Sequence, residues 1–279
     1  MASIVDVPSW DDPRLAGYRG VADPAALARQ GECLIEGRLV VPRLLDLARK
    51  SARWQGRLQS VLVTPTALDQ LAPALASHDR LTVYRLAAEY WTSLTGFNLH
   101  RGCLALAHRP DVPTLETLSL GGLQCIVVLE GVSNPDNIGG IFRSAAALGA
   151  DLVVLGPSCG DPLYRKAIRT SMGAALEVPY ATTAAWPGAL SHLQTQGFFV
   201  AALTTPPADV MLPDWTRPRQ PIALLAGAEG HGLTPEAQAL ASRRVSIPMT
   251  GRVDSLNVAT AVSIALYHAG WTPHRDTPD

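Results

Sequence analysis

Two apolar rhythms alternate along the chain. The first is helical. Leu44, Leu45, Leu47 and Ala48 form a 3.6-residue stripe beginning near Val41, with Arg43, Arg49 and Lys50 outside it. The second is continuous and short, as in Ser60 to Pro65 (SVLVTP), which reads as a strand closed by proline. The same alternation predicts a helix over Ala67 to Ala76, a strand at LTVYRL, a helix near Ala87 to Leu94 and a strand over Gly102 to Arg109. Together these make a small α/β/α unit over 29–109. The stretch 110–122 has two prolines and a Gly-Gly pair and reads as a linker. Residues 1–28 are rich in Asp, Pro and Gly without a clear period, and read as an irregular arm.

After the linker, over 123–279, strand, loop and helix repeat. Strands are expected at CIVVLE (Cys125 to Glu130), DLVVLG, FFVAAL (Phe198 to Leu203) and IALLAG (Ile222 to Gly227), and helices at Asn137 to Leu148 and Ser255 to Ala269. Strands that are apolar throughout and alternate with helices imply a parallel sheet covered on both faces. The expected fold is therefore α/β, a parallel-sheet domain preceded by a smaller α/β/α unit.

Composition changes this picture little. The 279 residues are 47% hydrophobic, yet no apolar run reaches the roughly 18 residues of a membrane span. The N-terminus is acidic where a secretory signal would be basic, so a cytoplasmic location is expected. Four cysteines without a CxxC pair read as reduced thiols, and seven histidines without HxH or HxxxH pairing give no metal site. The net charge of −1 is unlike that of a strong nucleic-acid binder. Its distribution matters more. Arg29 to Arg57 holds seven basic residues against three acidic ones, a candidate electrostatic footprint that an ordinary solvated helix face explains as well.

Three loops stand out where such sheets bind ligands, after the carboxyl ends of strands. In the first, Asn134, Pro135 and Asp136 turn into a helix that carries Asn137, Gly139, Gly140 and Arg143. Spacing alone favours reading Asn137 as a plain helix cap and Arg143 as a surface charge. The second, AGAEGHGL from Ala226 to Leu233, sets three glycines around Glu229, and its exposed N–H groups suit an anionic or polar ligand. It is neither GxGxxG nor a Walker loop. In the third, Ile247 to Tyr267, a short strand leads through Pro248 and a Thr-Gly-Arg turn to Asp254, Ser255 and Asn257 at the start of the last helix. Asp254 or Ser255 is the expected cap there.

NxGxxxR, GxExxG and IPMxGxxxSLN in this order resemble the SpoU/TrmH group of the SPOUT methyltransferases, over about 150 residues. The resemblance implies a trefoil knot at the C-terminal end of the sheet, S-adenosyl-L-methionine (AdoMet) held bent within it, an RNA substrate (tRNA or rRNA) and a homodimer that shares its active sites. Carried over by position, it implies catalytic roles for Asn137, Arg143, Glu229, Ser255 and Asn257. At the cofactor it implies Gly227, Glu229 and Gly230, then Ile247, Met249, Ser255, Leu256 and Asn257, with Leu203 and Thr204 at an earlier strand end. The stretches Cys33 to Ala48 and Leu94 to Arg109 more loosely resemble the RNA substrate-binding domain that many members carry.

The implied reaction moves a methyl group from AdoMet to a ribose 2'-hydroxyl. In the family the arginine, with a substrate phosphate, is thought to take the hydroxyl proton. Guanidinium is not deprotonated in proteins, so Arg143 is expected rather to orient the phosphate and steady the developing alkoxide. Asn137 would hold Arg143 or the ribose, and Ser255 and Asn257 would fix the loops and the substrate. A base-methylating enzyme of the same fold and a non-catalytic RNA-binding or ribosome-assembly factor stay open. A nicotinamide enzyme is disfavoured by the missing GxGxxG after the first strand of the second domain.

Overall fold

The computed structural model describes residues 2–19, 24–95 and 102–270. Residues 96–101, inside the second stretch that resembles a substrate-binding domain, lie outside the described residues, as do those from 271 onward. Two compact units form, one of Met1–Asp111 with Leu163–Leu176, the other of Val112–Pro162 with Glu177–Asp279.

In the first unit, strands β1 (Ser3–Val7), β2 (Glu32–Glu36), β3 (Leu58–Val63), β4 (Thr82–Leu86) and β5 (Cys103–His108) form one sheet in the order β1-β4-β3-β5-β2. β1 and β3 run parallel to β4, whereas β5 is antiparallel to both β3 and β2. Successive side chains alternate between faces. One face carries Leu34, Leu62, Leu86 and Leu104, packed with Leu15, Tyr18, Leu27 and Trp91. Helices α1 (Val40–Lys50) and α2 (Pro65–Leu75) also pack on the strands, burying Leu44, Leu45, Ala67 and Leu71.

Three sequence expectations need correction here. Residues 1–28 are not wholly irregular, because Ser3–Val7 is an edge strand in register with β4, and the Asp6–Arg85 ion pair clips it there. Its exposed, aspartate-bearing stretch left little apolar signal. The linker is not free chain either: Leu115 and Leu120 are buried in the core of the second unit. Third, the segment Leu163–Leu176, which lies between two strands of the second unit, belongs to the first. Its helix Arg165–Thr170 lies against the edge strand β2, Arg165 pairs with buried Glu36 at 2.7 Å, and Trp54 Nε1 donates to the Leu176 carbonyl. Covering an edge strand removes a template for unwanted pairing.

The basic stretch is largely engaged within this unit. Arg43 donates to the Met172 carbonyl, Arg49 to Ser77, Lys50 pairs with Asp46, and Arg57 with Asp111.

The second unit is a seven-stranded, wholly parallel sheet. Its strands are β6 (Cys125–Glu130), β7 (Leu152–Leu155), β8 (Tyr180–Thr182), β9 (Phe199–Leu203), β10 (Val210–Met211), β11 (Ile222–Gly227) and β12 (Arg243–Ser246), in the order β10-β12-β9-β11-β6-β7-β8. β6 is buried at every position, as burial on both faces requires. One face packs Ile126, Val128, Val200, Ala223 and Leu225 with Leu190, Leu193 and Phe198. Helices α3 (Pro135–Leu148) and α4 (Val258–His268) lie against each other and against the sheet. They approach closely, since a Cβ on Gly140 would sit 2.9 Å from the Ala259 Cβ, and Ser144 and Ser263 hydroxyls bond at 2.6 Å.

Cys33, Cys103 and Cys125 are buried and Cys159 half-buried, all as free thiols. Burial pushes the Cys125 thiol up to about 12. No helix among the described residues is long and apolar enough to cross a membrane.

Candidate active site

The chain reverses direction across the sheet between β6 and β11. From β6 it runs outward through β7 to β8, then crosses to β9 and returns to insert β11 beside β6. Glu130 and Gly227 end these two neighbouring strands in register. Such a switch point opens a crevice at the carboxyl ends of the strands. A cavity of about 370 Å³ lies to one side of that point, over the ends of β9, β11 and β12.

Its walls come from the second and third of the expected loops and from the end of β9, whereas no residue of the first loop lines it. Leu203 ends β9 and Thr204 follows it, Gly227 ends β11 and Glu229 and Gly230 follow it, and Ile247, Met249, Ser255 and Leu256 follow β12; all line the cavity. The β11 loop turns back on itself, with Gly232 N donating to the Ala228 carbonyl at 3.1 Å. That turn demands glycine at 227, where a Cβ would lie 2.4 Å from the Gly232 carbon and the Leu233 nitrogen. Gly230 and Gly232 have φ of +94° and +69°, values that favour glycine.

Two lining residues carry unspent polar atoms. Thr204 Oγ1 and Ser246 Oγ are buried without a hydrogen-bond partner among the described residues, and both residues face this cavity. A buried hydroxyl without a partner is costly, so these are places where a polar ligand would be held. Ser246, Arg244, Gln238 and His231 were not singled out in the sequence. Ser246 closes a strand whose only apolar residue is Val245, and no spacing rule marks it.

At the edge of the cavity three motif residues meet. Asn257 Nδ2 donates to Asn137 Oδ1 at 2.7 Å and to Glu229 Oε1 at 2.9 Å. Its Oδ1 accepts from the N–H groups of Ala259 and Thr260, which caps α4. Both amide protons and the carbonyl oxygen are thereby used. Asn257, expected at the cofactor as well, is accordingly absent from the cavity lining and serves as a bridge. It is also the cap, in place of Asp254 or Ser255.

Asn137 is not a cap. Asn134 caps α3, accepting from Asp136 N at 2.9 Å, Pro135 takes the first helical position, and Asn137 follows in the first turn, buried. Arg143 stands apart. Six residues further on, it is displaced about 9 Å along α3 and about 120° around it. It is exposed, without a hydrogen bond or ion pair among the described residues, and Asn137 does not hold it.

Glu130, noted in the sequence only as a strand end, positions the second loop. Buried, it accepts from Trp186 Nε1 at 2.6 Å, Thr234 Oγ1 at 2.8 Å and Thr234 N at 2.9 Å. Thr234 in turn caps the helix Pro235–Ala239 that leaves the loop.

The model of the SpoU rRNA methylase family matches residues 124–267, the stretch that holds all three loops. This chain belongs to the SpoU family. As a SpoU member it is an RNA methyltransferase that uses AdoMet. An uncharacterized tRNA/rRNA methyltransferase of Mycobacterium tuberculosis is 40% identical over 99% of this chain and 94% of its own length. The 23S rRNA (guanosine-2'-O-)-methyltransferase RlmB of Acinetobacter baylyi is 30% identical over 85% of this chain and 92% of its own. The fold is shared with an AdoMet-bound rRNA methyltransferase from Sinorhizobium meliloti, at a TM-score of 0.79, 23% identity and coverage of 95% and 97%.

Proposed function

We propose that this SpoU enzyme transfers a methyl group from AdoMet, held in the cavity over β9, β11 and β12, to the 2'-hydroxyl of a ribose in tRNA or rRNA. The observation that carries this reading is the coincidence of the cavity with the Asn137–Asn257–Glu229 network at its edge. The pocket suits the cofactor: Thr204 Oγ1 and Ser246 Oγ offer hydrogen bonds to its polar atoms, and Ile247, Met249 and Leu256 offer apolar walls for an adenine ring. Bound there, AdoMet supplies an electrophilic sulfonium methyl.

The residues of this chain position the nucleophile. Asn257 fixes Asn137 and Glu229, leaving Asn137 Nδ2 and Glu229 Oε2 with bonding capacity for the ribose. Arg143 donates to a substrate phosphate and steadies the developing alkoxide, so that as the methyl group passes to oxygen the hydroxyl proton goes to solvent water and S-adenosylhomocysteine leaves. Its distance along α3 from Asn137 supports a site completed by the partner subunit of a homodimer, in which each Arg143 serves the neighbour's cavity. Exposed Ile264 and Tyr267 on α4 supply apolar surface for such a contact. In this reading the last helix passes behind an earlier loop to tie the family's trefoil knot, the first unit binds the RNA, and the enzyme works in the cytoplasm.

Calorimetry with AdoMet and with NAD, on the unmodified chain and on Arg143→Ala, tests the assignment. AdoMet alone is expected to bind, with similar affinity to both proteins, and Arg143→Ala is expected to lose methyl transfer. Normal turnover by that variant would remove Arg143 from the site.

A further inference from the structure

The first unit carries a cavity of its own, about 460 Å³, lined by Arg14, Gln30, Glu32, Gln59, Thr82 and Tyr84 among others. It opens beside the apolar face of the sheet, where Ser60 and Thr82 are paired across β3 and β4 and Leu106 lies opposite Ser60. The unit's own core does not account for so many polar groups in one place.

Gln59 is there because of an irregularity. The register between β3 and β5 shifts between Leu58 and Ser60, so Gln59 is an extra residue in its strand. Such bulges re-aim a side chain. Here Gln59 Nε2 reaches across to Glu32 Oε1 at 2.9 Å and lies 3.3 Å from His108 Nδ1. Opposite, Gly17 passes so close to Leu106 that a Cβ would lie 2.5 Å from its Cδ2, which keeps the roof thin. Tyr18 and Ser60 satisfy each other at 2.7 Å.

The remaining hydrogen-bonding capacity is specific. A carboxylate offers about four acceptor sites, and Glu32 spends one on Gln59. Arg14 binds Asp12 through Nε and Nη2, which leaves Nη1. Among the described residues nothing bonds the Gln59 amide oxygen or the Gln30 side-chain amide. Half-buried Tyr84 adds a flat aromatic wall. Among the described residues the cavity lining has no lysine and one guanidinium, which is already paired with a carboxylate, so a phosphate has little to hold it.

We propose that this cleft takes one unpaired guanine of the RNA. Guanine alone among the four bases presents two adjacent N–H donors, N1–H and N2–H, to a carboxylate, and its O6 accepts from a guanidinium or an amide. Adenine and cytosine would turn a lone pair toward Glu32, and uracil flanks its single N–H with two carbonyls. The proposal rests on the reading of the first unit as the RNA-binding part of the enzyme.

The test uses the full-length protein saturated with S-adenosylhomocysteine, which occupies the AdoMet cavity. Binding of guanosine, adenosine, cytidine and uridine is followed by saturation-transfer NMR. Guanosine is expected to bind and the other three to give at most weak signals. Glu32→Gln keeps an acceptor for Gln59 but loses the charge, and is expected to weaken guanosine at least about tenfold. Gln59→Ala, at the bulge, is expected to weaken it several-fold. Equal signals for all four nucleosides, or guanosine binding unchanged in both variants, would overturn the proposal. S-adenosylhomocysteine binding is read in the same samples, so failure of the methyltransferase reading shows separately, as its absence from the unmodified chain.

Discussion

Asn257 Nδ2 donates to Asn137 Oδ1 across 2.7 Å, joining the first turn of α3 to the first residue ahead of α4, 120 positions later in the chain. The same carboxamide caps α4 and reaches Glu229, so one side chain ties all three loops together.

Capping and bridging at Asn257 separate by substitution. Asn257→Asp keeps the oxygen that caps α4 but loses the donor to Asn137 and places a second carboxylate beside Glu229. Its thermal midpoint is expected to stay within a few degrees of the parent, while methyl transfer falls by roughly two orders of magnitude, in the range of a lost positioning contact. Asn257→Ala loses the cap as well and is expected to cost about 1 kcal/mol more, seen as a lower urea midpoint. Equal activity in Asn257→Asp and the parent would show that the bridge has no part in the reaction.

The unpartnered hydroxyls give a cofactor-specific prediction. Thr204→Val and Ser246→Ala remove polar atoms that have no protein partner, so neither is expected to destabilise the chain. Each is expected to weaken AdoMet by about fivefold in calorimetry, the value of about 1 kcal/mol for one hydrogen bond. Unchanged affinity in both would place the cofactor's polar atoms elsewhere.

Gly227→Ala tests the β11 turn. The added methyl would lie 2.4 Å from backbone atoms of Gly232 and Leu233, which cannot move without opening the loop. Overpacking of this kind costs about 1–3 kcal/mol, and AdoMet affinity is expected to fall more than about tenfold with it. A variant with parental melting temperature and parental AdoMet binding would contradict the geometry.

Much of this is legible in the sequence. The continuous apolar strands from Cys125 and Ile222 announced a parallel sheet because burial on both faces leaves no polar alternation, and their ends marked the ligand loops. What was hidden lies in contacts remote in sequence. Asn134, not Asn137, caps α3, and only the fold shows that Asn137 is instead spent on Asn257. Ser246 sits in a strand too short and charged to stand out. Ser3–Val7 is a strand through pairing with β4, and Leu163–Leu176 joins the first unit through Glu36 and Trp54, neither of which leaves a periodic trace. The basic run from Arg29 to Arg57 looked like a footprint, yet Arg43 and Arg57 are held by partners within their own unit.

The measurement closest to the central claim is nucleoside analysis of RNA after incubation with this enzyme and methyl-labelled AdoMet, with Arg143→Ala alongside. The account predicts label in a 2'-O-methylated nucleoside, resistant to alkaline cleavage at its 3' side, and none with Arg143→Ala. Label in a base-methylated nucleoside, or equal labelling by the two proteins, would contradict it.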